Sequence, residues 1–419
     1  RRSLSLPPLG LLYLEAYLKT KGYKNIKILD LMCAKISEET LIQKILLEQP
    51  MIVGFTVYTE NYEHSLKIAS LIKKKNNNII IIFGGAFPTF MSTDVLKHDY
   101  IDYIVIGEGE KSFLNLIKHI DTKSPPLIDI KGIAYRSNNK IIINEKCDYI
   151  ENLDSLPFVN RNSIQLKKYS SPFPISTTRG CIGKCIFCSA QSMWDNHIRL
   201  RTAENIFEEI KYLKKTYEKN LFKRFFIIDD TFTINKKRVF DFCSLIIKSN
   251  LKIPWYCEAR IDTVSYDLLK QMHNAGCYSI QFGIESGVQE ILDSIKKNIN
   301  LNKAVKIIKQ AVKIGLKVSC SFILGHAFDT KESMLKTIEF SEYLKHNFGV
   351  RIHMSLNTPF PGTIQYNQKN ELKLKIETTR WANFTLKKAI ISGAHFTSQD
   401  LQSMLYQYMN NVYSGRNLN

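Results

Sequence analysis

Nine cysteines occur in the 419 residues, and three of them, Cys181, Cys185 and Cys188, crowd into one short stretch. The spacing is C-x3-C-x2-C, and Gly180 and Gly183 allow the tight turns that bring three thiolates onto one soft metal centre. Disulfides fit poorly, because the number is odd, the intervals are short and no secretory pattern is present. Structural zinc needs a fourth ligand and normally shows two paired half-sites. His197, the nearest candidate, stands alone nine residues beyond Cys188. An iron–sulfur cluster is therefore favoured over zinc. Three cysteines on a cubane 4Fe–4S cluster leave one iron open to a small molecule, which turns an electron carrier into a reaction centre. The other six cysteines, Cys33, Cys147, Cys243, Cys257, Cys277 and Cys320, do not group and read as free buried thiols.

These thiolates need strands to hold them. From Phe173 to about Asn357, apolar runs alternate with helix-length segments such as Ala203–Tyr217 and Leu301–Ile314. Strands are expected at 174–178, 224–229, 255–258, 278–285, 318–324 and 352–357, and the cysteine loop follows the first of them. Six βα units make a partial (β/α)6 TIM-like barrel, whose functional groups belong at the C-terminal ends of the strands. Those ends carry Asp229 and Asp230, Glu258 and Arg260, Glu285 and Ser286, Gly325 and His326, and the stretch from Thr358 to Thr363. Strand-end polar residues also serve as helix N-caps, so either role is open to them. His326 and His353 read as structural.

The first 120 residues alternate too. Short apolar runs at 26–31, 51–57, 79–83 and 103–106 lie between helical segments at 10–23, 37–48, 60–75, 93–98 and 110–119. This predicts a doubly wound, Rossmann-like parallel sheet covered on both faces. The chain opens on Arg1 and leads directly into a helix, so the first strand of such a sheet is expected upstream of residue 1. Ligands of these sheets bind beyond the carboxyl ends of the strands. Those ends hold Thr56, then Gly84 and Gly85 with Pro88 and Thr89, then Gly107, Glu108 and Gly109. Glycine admits a flat ligand close to the backbone, although ordinary turns use it as well. The expected boundaries are a sheet domain at 1–120, a connector with a β-hairpin at 121–172, the barrel at 173–364 and a helical C-terminal region at 365–419.

The cysteine loop, with Phe187 just before its third thiol, resembles the signature of the radical S-adenosylmethionine (SAM) superfamily. That resemblance implies that SAM chelates the open iron and that one-electron reduction cleaves it to a 5′-deoxyadenosyl radical. It also implies an external electron donor such as flavodoxin or ferredoxin. The segment with Asp229 and Asp230 resembles the part of the family that holds the SAM ammonium. Arg260 would meet the SAM carboxylate or the cluster, Glu285 and Ser286 would make polar SAM contacts, and the backbone at Gly325 would flank adenine.

Segments 7–18, 84–89, 107–110 and 132–136 look like the cobalamin-binding domain of one radical SAM subfamily, and the resemblance runs from Leu6 to about Thr363. Thr56, Gly84, Gly85, Pro88, Thr89, Gly107, Glu108 and Gly109 become candidate cobalamin contacts. The Asp-x-His-x-x-Gly motif that donates a histidine to cobalt is absent from the sequence. The cobalt then lacks a histidine ligand, or the domain lacks the cofactor. The chemistry implied is methylation of an unactivated carbon, with the substrate between the two cofactors and a second SAM restoring the methyl group. Cyclisation or rearrangement without methyl transfer is the alternative. An RNA-modifying enzyme is a weaker one, because the tRNA-methylthiolating relatives carry three further N-terminal cysteines, whereas only Cys33 precedes Cys147 here.

Composition sets the outer bounds. A 44% hydrophobic and 23% charged chain is that of a globular protein. The formal charge of +19 invites nucleic acid, but only 13 of the 58 cations are Arg and the lysines are spread along the whole length. No dedicated nucleic-acid site is expected. No apolar run is long enough to span a membrane, and a cytoplasmic location is expected. The substrate, whether small molecule, lipid or peptide, has no signature in the sequence.

Overall fold

A computed structural model describes residues 5–31 and 36–414, with the side chains beyond residue 410 left aside. Cys33 lies outside the described residues. The chain divides into two compact units, Arg1–Pro172 with Arg380–Ala382, and Phe173–Thr379 with Asn383–Asn419.

In the first unit, β1 (Ile52–Thr56), β2 (Ile80–Gly84) and β3 (Tyr103–Val105) run parallel in that order. The Asn-rich hairpin, β4 (Ile133–Ser137) and β5 (Lys140–Ile143), adds antiparallel to β3 and so extends this sheet. Both faces are covered, as continuous apolar strands require. Ile81, Phe83 and Ile104 pack with Leu41, Ile45, Ile68 and Ile72 of the helices Glu38–Leu47 and Tyr62–Lys75. Ile82 and Val105 face the other way, onto Leu116 of the helix Gly109–Thr122.

One expected strand is absent. Residues 26–31 alternate between half-buried and exposed, as a strand would, yet enter no ladder, and among the described residues β1 pairs only with β2. Ile26 is anchored by Leu18 and Ile117, and Ile28 by the group around Leu12. Side-chain packing on helices holds Ile26 and Ile28 without strand pairing.

In the second unit β6 (Pro174–Ile175) is followed by a two-residue ladder of β7 (Thr178–Arg179) with β8 (Arg199–Leu200). Then come β9 (Phe225–Ile227), β10 (Trp255–Ala259), β11 (Cys277–Glu285), β12 (Lys317–Leu324) and β13 (Arg351–Leu356). The large sheet has the order β13-β12-β11-β10-β9-β6, with every pair parallel. On β10, Trp255, Cys257 and Ala259 are buried, and Trp255 meets Phe232 and Phe242 edge-on. The intervening Tyr256 and Glu258 therefore point to the opposite, concave side.

Capping returns the chain to each next strand. Thr202, Asn235, Ser265, Asn300 and Thr330 each accept a backbone N–H at the start of a helix, and Gly315 and Gly349 end two of them in the left-handed region. The C-terminal region is less helical than expected. A small ladder of β14 (Lys375–Ile376) with β15 (Ile391–Ser392) and irregular stretches precede its one long helix, Ser398–Ser414.

Candidate functional site

The cysteine loop leaves β7 at the C-terminal end of the sheet. Gly180 turns it with φ of 105°, and a Cβ there would stand 2.5 Å from the His197 carbonyl oxygen. At Gly183 a Cβ would lie 3.4 Å from Cys181 Sγ and 3.5 Å from Cys185 Sγ, so this glycine occupies the space between two sulfurs. The Gly183 N–H donates to Cys181 Sγ at 3.3 Å and the Ala190 N–H to Cys188 Sγ at 3.5 Å. The Arg260 guanidinium donates to Cys185 Sγ at 3.7 Å. Donors aimed at sulfur favour thiolate over thiol.

Cys188 opens to solvent on one side but is crowded enough that desolvation, then nearby Cys185, Asp230 and Cys181, push its thiol up to about 11. Burial also raises Cys185, against the positive charges of Lys297 and Arg260. Thiols held this way ionise when a metal takes the proton's place. Among the described residues no three His, Cys, Asp or Glu side chains are spaced for a single ion. Three soft thiol donors, with Gly183 leaving the space between two of them clear, are the donor type an iron–sulfur cluster takes.

Strand ends β9 to β11 deliver the remaining groups. Asp229 is buried, and its carboxylate accepts from the Thr177 N–H at 2.6 Å, the Thr178 N–H at 3.0 Å and the Thr177 hydroxyl. Desolvation raises its carboxyl, with Arg238 opposing. Asp230 next to it faces the concave side and accepts from the Gly180 N–H at 3.2 Å. Thr231 brings its hydroxyl to 3.3 Å from Cys181 Sγ. Arg260 pairs with Asp262 at 2.8 Å and donates to the Lys297 carbonyl at 2.9 Å.

Glu285 ends β11 at a register shift, with φ of 74°. Its carboxylate lies over Gly283, where a Cβ would come within 2.2 Å of Oε1, and it pairs with Lys297 at 2.9 Å. Glu258 and Asp230 are open to solvent, yet desolvation raises both carboxyls, and charge repulsion from Glu285 adds to it at Glu258. Exposure combined with crowding is what a concave wall produces.

Asp230, Arg260 and Glu285 are thus drawn together around the thiolates. Ser286 and Gly325 have their polar atoms engaged by other partners. Ser286 Oγ meets Thr337 Oγ1 at 3.1 Å and accepts from the Val288 N–H. The Gly325 N–H donates to Asp329 and its carbonyl accepts from Asn357 at 2.9 Å. His326 is wholly buried, its ring 5.3 Å from that of Phe187, and burial pushes it down to about 3. Lys297 was not foreseen. It sits within a run of two lysines, and nothing in the residue order separates it from Lys296.

In the first unit two of the strand-end loops are joined. Thr89 Oγ1 donates to the Gly85 carbonyl and accepts from the Gly107 N–H at 2.9 Å, joining the loops after β2 and β3. Gly85, with φ of 102°, lies so close to Val57 that a Cβ would stand 2.8 Å from its carbonyl oxygen. Pro88 is buried beneath, and Glu108 accepts from the Ile150 N–H at 2.8 Å. A Cβ at Gly107 would meet only the end of the Lys146 side chain, and one at Gly54, two residues before Thr56, would meet nothing within 4 Å. The open backbone at Gly107 suits close approach of a flat cofactor such as cobalamin, whereas Gly109 is packed, a Cβ there lying 3.3 Å from Leu14.

The B12 binding domain family matches residues 2–117, and the Radical SAM superfamily matches residues 175–341. An uncharacterized methyltransferase of Pyrococcus horikoshii is 31% identical over 406 residues, spanning 95% of this chain and 86% of the relative. An anaerobic magnesium-protoporphyrin IX monomethyl ester cyclase of Rubrivivax gelatinosus is 28% identical over 369 residues, spanning 85% of this chain but only 65% of the cyclase. The cobalamin-dependent SAM radical enzyme OxsB, solved with aqua-cobalamin and SAM bound, superposes with a TM-score of 0.78 at 18% identity. It covers 98% of this chain and 65% of OxsB.

The chain belongs to the radical SAM superfamily, in the branch whose barrel follows a B12-binding domain. It is a radical SAM enzyme, and its cofactors are a 4Fe–4S cluster, SAM and cobalamin.

Proposed function

We propose that this enzyme is a C-methyltransferase acting on an unactivated carbon. The observation that carries this reading is the similarity to a protein named as a methyltransferase along nearly the whole of both chains. When bound, the cluster and SAM supply a carbon-centred radical and cobalamin supplies a methyl group. The protein's own residues bind and orient. Asp230 accepts the SAM ammonium, Arg260 faces the SAM carboxylate from beside Cys185, and Glu285 makes a further polar contact. Asp229, Ser286 and Gly325 support this arrangement through the bonds described above. Thr56, Gly84, Gly85, Pro88, Thr89, Gly107, Glu108 and Gly109 form the cobalamin rim. A one-electron donor such as flavodoxin or ferredoxin completes the system. Thiolate ligands favour a reducing cytoplasm, and no described helix is long and apolar enough to cross a membrane.

The test uses anaerobically reconstituted full-length enzyme, hydroxocobalamin, a low-potential reductant, methyl-deuterated SAM and a small-molecule cell extract. Mass spectrometry should find a product in which one labelled methyl group replaces hydrogen, together with 5′-deoxyadenosine. If 5′-deoxyadenosine forms while no labelled product ever does, methyl transfer is wrong. A product with no label but an altered carbon skeleton would support cyclisation or rearrangement, which the similarity to the cyclase favours.

A further inference from the structure

We propose that Lys297 is a positioning residue of the SAM site, setting the Glu285 carboxylate and tying it to Arg260. The inference rests on the reading of Glu285 as a SAM contact. Lysine is almost never fully buried unless it is paired, yet Lys297 is only 5% exposed. Its ammonium donates to Glu285 Oε1 at 2.9 Å, and its backbone carbonyl accepts from Arg260 at 2.9 Å. One residue thus joins the groups delivered by β10 and β11. Its charge also lies within electrostatic reach of the Cys185 thiol.

The backbone is bent to achieve this. Lys296 and Asn298, on either side, have φ of 56° and 53°, and Glu285 has φ of 74°. Left-handed non-glycine residues are uncommon and strained, and strain of this kind clusters at ligand-holding positions. Burying an ion pair is seldom the cheapest way to hold a fold together, since an apolar pair of similar volume often does as well or better. Glycine at 283 completes the arrangement, because a Cβ there would press on both Glu285 and the Lys297 ammonium at 3.0 Å. Packing alone asks for none of these features. Holding a carboxylate at a fixed position on the concave side accounts for all of them.

The experiment titrates SAM into anaerobically reconstituted, reduced full-length protein and follows the electron paramagnetic resonance spectrum of the cluster, with iron content measured in parallel. K297M should keep its iron while SAM affinity falls roughly 10- to 100-fold, the range seen when a supporting residue around a metal centre is lost. K297R should recover most of that loss. In the E285Q background, K297M should cost nothing further, because Lys297 acts through Glu285. This pair of variants also decides the matter if K297M alone fails to load iron. K297M binding SAM with wild-type affinity overturns the proposal, as does a further loss in the double variant. E285Q binding SAM as tightly as wild type instead removes the role given to Glu285, a distinct result.

Discussion

At the scale of single residues, the site turns on side chains that neighbours in sequence do not resemble in role. Asp229 and Asp230 are adjacent and chemically identical, yet one is a buried acceptor for three donors and the other faces the concave side. Order along the chain cannot separate them, because strand direction alone decides which points inward. The cysteines were legible, since three thiols at short, uneven intervals have few other uses. Lys297 was illegible, because its burial depends on two left-handed neighbours that carry no glycine signal. Gly283 offers a direct check. In G283A the new methyl group would displace the Glu285 carboxylate, so 5′-deoxyadenosine formation should fall by about 100-fold, as it does when a reacting group moves by an ångström. Iron content should stay at the wild-type level, and an unchanged rate would mean that Glu285 has room to spare.

Secondary-structure elements were read more reliably than their joints. Six apolar runs in the second unit became six parallel strands, and the helices between several of them are opened by capping residues such as Asn235, Ser265 and Thr330. The run at 26–31 misled for the opposite reason. Its alternation is real, but a strand also needs a partner, and none is supplied among the described residues. Between elements, Asp229 is the clip. It holds the end of β6 against β9 through Thr177 and Thr178, while Arg238 donates to the Thr177 carbonyl at 2.8 Å and to the Thr178 hydroxyl at 3.0 Å. D229A would leave three buried donors and a guanidinium uncompensated. A loss of about 3 kcal/mol or more is expected from the shift of the urea midpoint. Iron retention should fall with it, since Cys181 lies only four residues beyond Thr177. An unmoved midpoint would show that β6 is held elsewhere.

For the whole molecule, acid stability follows from a group outside the chemistry. His326 has its ordinary value near 6.5 when unfolded and about 3 when folded, because burial disfavours the charged ring. Folding strength that depends on the neutral ring is complete above 6.5 and drains away as pH falls towards 3. At pH 5 that amounts to about 2 kcal/mol. The urea midpoint of wild type should therefore drop more between pH 7 and 5 than that of H326M, and parallel drops would rule the histidine out as the cause. A last consequence comes from the order of the large sheet, in which β6 and β13 stand at opposite ends and do not pair. A closed barrel has its bore fixed by strand number and stagger. This arc is not closed by a pairing of its end strands, so strand number and stagger do not fix its bore in the same way. The Leu356 N–H at the end of β13 donates instead to the Leu386 carbonyl at 2.8 Å. Loops and side chains at the strand ends then take a larger part in setting the girth of what this wall can receive.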